Sequence, residues 1–281
     1  MASVSIVEPN LVQLGQGVYA LLAPDPRFGY SNVGVVIDHD GLTVIDTTAT
    51  PIQAAVTAAR IGELTSQLGL PVKRVVLTSS RVAYCGGGEQ FWSAAFYGSE
   101  QTSVQLDAPA NPAAWRALLP DFASVYTDEF TTRAVTHTVT EKAELTPAIV
   151  VEPVIAESAG NLVVTVESAN VVFAGAVASF GVTPLGYDGY FDQWVATLDN
   201  LIKDGITVVP GHGPTGGSAD VADLSDYLIA CMEADGATAL PEGPWRRWVD
   251  RRFDRINVER AALLATGRDE PPPAMFELLG L

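Results

Sequence analysis

Between residues 75 and 91 the chain reads VVLTSSRVAYCGGGEQF. A β-branched run ends in Leu77-Thr78, a mixed loop follows, and three glycines lead into an apolar segment. That order sets polar groups at the C-terminal edge of a strand, ahead of a helix start, where catalytic groups in α/β folds gather. The groups on offer are the hydroxyls of Ser79 and Ser80, the Arg81 guanidinium, the Tyr84 phenol and the Cys85 thiol. Asp46, Glu157 and His212, the last in Pro210-Gly211-His212-Gly213, supply two carboxylates and an imidazole elsewhere. Backbone N–H groups at a helix start lower a thiol pKa, so Cys85 next to Tyr84 has the makings of a nucleophile for an ester or thioester. The competing reading is a buried, inert thiol. Ser79 and Ser80 lack a G-x-S-x-G context and read as loop hydrogen-bonders.

The elements that must position these groups follow from periodicity. LVQLGQGVYALLA, NVGVVID and LTVIDT alternate apolar and polar residues and read as antiparallel strands, the last two joined by the turn His39-Asp40-Gly41. Thr50 caps a helix with Pro51 at its first position and Gly69 at its end. Ala94 to Tyr97 reads as a strand, Pro112 to Leu119 as a helix, and Arg133 to Val139 as an alternating segment carrying His137. Ala148 to Ile155, Asn161 to Val166 and Asn170 to Ala174 are β-rich, Tyr190 to Lys203 is helical, and Ile206 to Val209 is a strand. Strands and helices in the same order twice imply two αβ halves face to face. The loop 23–32, with Arg27, Phe28 and Tyr30, and the cluster Tyr187, Tyr190 and Trp194 are candidate walls of a site.

With 281 residues, 48% of them hydrophobic, the chain can fill a substantial core. A net charge of −17 disfavours nucleic acid and anionic membranes as partners. No apolar run approaches a bilayer span and Met1 to Asn10 lacks signal-peptide character, so a cytoplasmic location is expected. Cys85 and Cys231 match no zinc or redox spacing. From Pro241 the character changes: six arginines fall between Arg246 and Arg260, while Trp245, Trp248, Val249, Phe253, Ile256 and Leu263 recur at helical spacing. One amphipathic helix is predicted there, either packed on the domain or pairing two copies through Trp245 to Leu264.

Four segments taken in order, GLTVIDTTATP, VVLT followed at a fixed distance by a glycine pair, GNLVVTVESANVVFAGA and ITVVPGHGP, resemble the metallo-β-lactamase superfamily, most closely its glyoxalase II-like hydrolase branch, over about residues 11 to 215. The resemblance implies an α/β fold, a four-layer αβ/βα sandwich with the site at one edge of the sheets. It also implies a two-zinc centre whose ligands follow His-x-His-x-Asp-His-x-Gly-Gly, and here this chain departs from the pattern. Ser79, Arg81 and Tyr84 stand at the histidine positions, Ala83 at the aspartate, Glu157 in the region of the next histidine and Ala176 at the bridging aspartate; only His212 is retained. A catalytic zinc needs about three protein ligands, so no metal or other cofactor is expected, save a single weak ion on Asp46, Glu157 and His212.

The sequence therefore predicts a sandwich over 1–235 with a helical extension over 236–281. The function expected is metal-independent binding of an unknown small molecule or partner. The alternatives are a metal-free enzyme using Arg81, Tyr84, Cys85, Glu157 or His212, and a structural subunit. In each, Arg81 is expected to replace the metal as the cation facing Glu157 and Asp46, with His212 bonded to Asp46.

Overall fold

The computed structural model describes residues 8–281 except 235, 237 and 238. Its first sheet begins as an antiparallel meander, β1 (Asn10–Gly15), β2 (Val18–Leu22), β3 (Val33–Asp38) and β4 (Gly41–Ile45), with Val35 opposite Val44. Helix α1 (Pro51–Leu68) then carries the chain to β5 (Val72–Val76), parallel to β4. Thr50 Oγ1 accepts from Gln53 N at 3.2 Å, and Gly69, at φ 66°, donates to Thr65 O at 2.8 Å, so both ends of α1 fall where the sequence put them. The short α2 (Val82–Cys85) precedes β6 (Ala95–Ser99). After α3 (Glu100–Asp107) and α4 (Pro112–Leu118), β7 (His137–Val139) completes the sheet parallel to β6.

The second sheet is β8 (Ala143–Thr146), β9 (Ile149–Val154), β10 (Asn161–Val166) and β11 (Val171–Ser179), all antiparallel. Helix α5 (Phe191–Asp199) returns the chain to β12 (Thr207–His212), which lies parallel to β11. Alternation along each strand creates the layers. Val33, Val35, Leu42, Val44 and Val75 pack with Ile61 of α1, whereas Val36, Ile45 and Val76 meet Leu162, Val164 and Phe173 of the facing sheet. The outer face of the second sheet packs on α5 and on α6 (Ser218–Glu233) through Trp194, Leu198, Leu224 and Leu228. The result is the expected four-layer sandwich. No helix among the described residues is long and apolar enough to cross a membrane.

The C-terminal segment departs from the single helix predicted. Pro244–Arg247 forms a 3₁₀ turn, Val249 pairs as a bridge with Val182, and Asp250 takes a left-handed φ of 57°. A second 3₁₀ turn at Arg251–Phe253 precedes α7 (Asp254–Ala265), and α8 (Pro273–Leu279) follows. Tertiary bonds override the helical periodicity: Thr183 N donates to Val249 O and Val249 N to Gly181 O, both at 3.0 Å, and Phe28 N donates to Asp250 at 2.6 Å. The arginines find acids in their own chain, Arg252 on Asp250, Arg255 on Glu259 and Glu277, and Arg260 on Asp269. Trp245, Phe253 and Ile256, expected on an amphipathic face, are buried in the core.

Gly175 of β11 sits at φ 49°, and a Cβ there would lie 2.0 Å from Thr78 Oγ1, at the closest approach of the two sheets. Gly175→Ala is expected to lose about 2 kcal/mol or more in urea denaturation, from the left-handed backbone and the clash together; a loss within experimental error would contradict this packing.

Candidate functional site

The C-terminal ends of β4, β5, β11 and β12 meet at one edge of the sandwich. Leu162 N donates to Thr78 O at 3.0 Å, which ties the second sheet to the end of β5, and Asp46 N donates to Val76 O at 2.9 Å within the first sheet. Asp46 accepts from Thr78 N at 2.8 Å and from Thr78 Oγ1 at 2.7 Å, so both oxygens are committed. Burial pushes its carboxyl up to about 7, against the pull of those two bonds. Asp46 and Thr48 both have positive φ, 64° and 72°. For a β-branched threonine this is strained backbone of the kind that collects at sites. Bonds from Thr47 N to Tyr84 O at 2.7 Å and from Gly87 N to Thr48 O at 3.1 Å hold the loop in that shape. The glycine run serves this contact, since a Cβ on Gly86 would lie 2.0 Å from Ala49 O and one on Gly87 2.2 Å from Thr47 O.

Arg81 leads into α2 and turns back into a buried cluster. Its Nε donates to Glu157 Oε1 at 2.7 Å, and its two terminal nitrogens bond the Tyr187 hydroxyl and Asp188 Oδ1. The guanidinium lies 4.0 Å from the centre of the Tyr187 ring. Only 11% of the Arg81 side chain and 7% of the Glu157 side chain is exposed. Burial opposes the guanidinium's charge, but Asp188 and Glu157 more than offset it, and it stays a permanent cation. Burial raises the Glu157 carboxyl, while Arg81 and an Asn161 Nδ2 bond at 3.2 Å pull it back.

The expected bond from Arg81 to Glu157 is present and the one to Asp46 is not: the guanidinium is engaged by Glu157, Tyr187 and Asp188, and Asp46 is held by Thr78. Asp188 was not anticipated, and Tyr187 was read only as an apolar wall. Neither has a sequence signal beyond lying between β11 and α5. Of Tyr187's expected companions, Trp194 is fully buried with its indole donating to Val177 O at 2.7 Å, and Tyr190 bonds Asp269.

His212 ends β12, yet it bonds the Tyr84 hydroxyl through Nδ1 at 3.0 Å and not Asp46 as expected, since Tyr84 lies against it. Phe28 stacks on its other side at 5.4 Å. Burial lowers its pKa to about 4, so the ring is neutral at pH 7. His212 Nε2 and Thr183 Oγ1 are buried without a protein partner, and both line a chamber of about 20 Å³ with Glu157, Ala176 and Ser179. That volume admits a water but no acyl group.

Cys85 matches the buried, inert reading and not the nucleophile: its Sγ donates to Ser80 O at 3.2 Å, and burial pushes its pKa up, away from nucleophilic use. Ser79 Oγ accepts from Arg81 N at 3.2 Å, Ser80 Oγ bonds Gln105 Oε1, and the Ala83 carbonyl accepts from Ser31 at 2.5 Å. Ala176 is buried beside Ala83 and Tyr84.

Asp46, Glu157 and His212 do not converge as an ion would require. Among the described residues the one group of three His, Cys, Asp or Glu donors within 4.8 Å of one another is Asp38, His39 and Asp40, in the β3–β4 turn. Asp40 there is already bonded to Lys73 and Arg74.

Beside Arg81 a cleft of about 370 Å³ opens between α4, α8 and the loop before α2, lined among others by Phe28, Gln105, Trp115, Tyr187 and Met275. Phe28 also lines the chamber and so divides the two.

No model of a known protein family matches the chain. Among solved structures it is similar to metallo-β-lactamases. FIM-1 from Pseudomonas aeruginosa in its mono-zinc form is 16% identical with a TM-score of 0.60, over 80% of this chain and 96% of that one. DIM-1 is 18% identical with a TM-score of 0.61, over 79% and 97%. The enzyme from Hirschia baltica is 16% identical with a TM-score of 0.59, over 78% and 97%. The chain thus has the metallo-β-lactamase fold.

Arg81→Met strands the buried Glu157 carboxylate and removes the partner of the part-exposed Asp188, and is expected to lose about 3–5 kcal/mol in chemical denaturation. Adding Glu157→Gln is expected to recover part of that loss; equal loss in single and double variants would show that the guanidinium was not holding the cluster. The Asp46 carboxyl is raised in the fold, from 3.8 to about 7, so its contribution is full below about 4 and is lost as pH rises through 7. His212, lowered from 6.5 to about 4, works oppositely, its contribution being lost as pH falls through 4. Stability of the parent minus that of Asp46→Asn should therefore fall between pH 4 and 7; a flat difference would refute the buried, raised carboxyl.

Proposed function

We propose that this chain is a metal-independent small-molecule-binding protein on a hydrolase scaffold, in which Arg81 takes the place of the metal as the fixed cation. The observation that carries the reading is the closed cluster of Arg81, Glu157, Tyr187 and Asp188. A guanidinium there excludes a dication by charge, and it consumes the carboxylate that an ion would need. The other positions at which the resemblance places zinc ligands carry Ser79, Ala83, Tyr84 and Ala176, none of which suits zinc, and His212 alone is too few. The residues therefore do not fit a zinc pair, and no step is routed through one. What remains is an apolar cleft with polar groups at one side, the form small-molecule sites take.

A second reading, metal-free ester hydrolysis, has one observation in its favour: a neutral His212 with an uncommitted Nε2. It is the weaker one. Phe28 stands between that nitrogen and the cleft, and the chamber is too small for a carbonyl substrate.

A ligand that binds only the folded state raises its melting temperature. Thermal denaturation in excess zinc and in chelator should give the same midpoint. A midpoint that climbs with zinc and falls with chelator would overturn the proposal.

A further inference from the structure

The cleft beside Arg81 indicates what kind of molecule it takes. Its body is apolar, with Phe28, Leu106, Trp115, Leu118, Met275 and Phe276 on facing sides. Its polar lining is short of charge. Arg81 is the charged residue among those lining it, and two carboxylates, Glu157 and Asp188, already answer that one guanidinium. The cluster therefore presents no net positive charge, within a chain of net charge −17. An anion entering the cleft would lose its hydration and meet no uncompensated cation.

Two neutral side chains lining the cleft have amide nitrogens left to donate. Ser80 gives its hydroxyl hydrogen to Gln105 Oε1, which leaves the Gln105 amide nitrogen to donate. Asn111 spends its carbonyl oxygen on Ala114 N at 3.1 Å, which leaves its amide nitrogen in the same role. Arg81 makes three side-chain bonds from a group with five N–H donors. An apolar channel with neutral, uncommitted donors at one side suits a neutral molecule whose hydrogen-bonding head is an acceptor.

We propose that the cleft binds neutral acyl compounds, esters or amides with a medium-length alkyl chain, whose carbonyl oxygen accepts from the Gln105 and Arg81 side and whose chain lies along α4 and α8. This rests on the reading of the protein as a metal-independent binder and adds the ligand class. The C-terminal segment becomes part of the site, because Met275, Phe276 and Leu279 of α8 line the cleft together with Trp115 of α4.

Isothermal titration calorimetry with methyl octanoate, octanamide and sodium octanoate at pH 7.5 compares one chain with three heads. The ester and the amide should bind, and octanoate should bind at least about tenfold more weakly, a gap of about 1.4 kcal/mol. Ala114→Trp, a partly buried position on α4 facing no core cluster, should fill the cleft and abolish binding with its melting temperature and circular dichroism unchanged. Gln105→Leu should weaken the ester and the amide while leaving the fold intact. Octanoate binding as well as the neutral pair would overturn the ligand class while leaving a small-molecule site standing. Undiminished binding to a folded Ala114→Trp would overturn the location. Binding of none of the three would overturn both the class and the small-molecule reading on which it rests, whereas zinc dependence of stability would overturn the metal-independent reading alone.

Discussion

One buried cation with two carboxylates holds the edge of this sandwich together. Burying charges without partners costs several kcal/mol per ion, and such a cluster persists only where geometry and further hydrogen bonds are complete. Arg81 meets that condition with three differently aimed bonds, to Glu157, Tyr187 and Asp188, and with an aromatic face at 4.0 Å. Lysine has the charge but not the planar fork that reaches three partners. The carboxylates arrive from separate parts of the fold, Glu157 from the β9–β10 loop and Asp188 from the segment before α5, so the single guanidinium ties the strand edge to the second half.

The segment after residue 240 is what keeps those partners in place. Arg260, fully buried, donates to Gly189 O at 3.1 Å and to Asp269, and Asn257 receives Gly186 N at 2.9 Å while donating to Pro184 O at 2.8 Å. Three of these bonds, to Pro184, Gly186 and Gly189, clamp the loop that carries Tyr187 and Asp188. The same segment sets Phe253 edge-on to Phe28 at 5.4 Å, and Phe28 in turn covers His212. Polarity is thus arranged in two tiers, a small chamber around a neutral imidazole and a larger apolar cleft, with Phe28 lining both.

Much of this was legible in the sequence, and the reasons differ by element. The meander, the capped α1 and the β-rich runs were readable because local periodicity and capping agreed with the tertiary fold. The departure at Ser79, Arg81, Ala83 and Tyr84 could be read from the resemblance to the metallo-β-lactamase pattern, and the need for a partner to Glu157 followed from the missing metal ligands. The partner list could not, because Tyr187 and Asp188 are about a hundred residues from Arg81 and carry no motif. The single C-terminal helix was misread for the opposite reason: helical spacing at Trp245 to Leu263 was real, but the Val182–Val249 bridge and the left-handed Asp250 outweigh it. His212 was expected to bond Asp46, but it bonds Tyr84, while Asp46 accepts from Thr78 through each of its oxygens.

A scaffold whose relatives in structure include a mono-zinc enzyme has here an internal cation supplied by its own side chain. In the proposed function that guanidinium is the replacement for a metal, and the neighbouring cleft has the binding role. The most direct check is elemental analysis, by inductively coupled plasma mass spectrometry, of protein purified in zinc-containing medium without chelator. With Arg81 as the cation, zinc should be present only in traces relative to protein; one or two zinc ions per chain, retained through gel filtration, would contradict it.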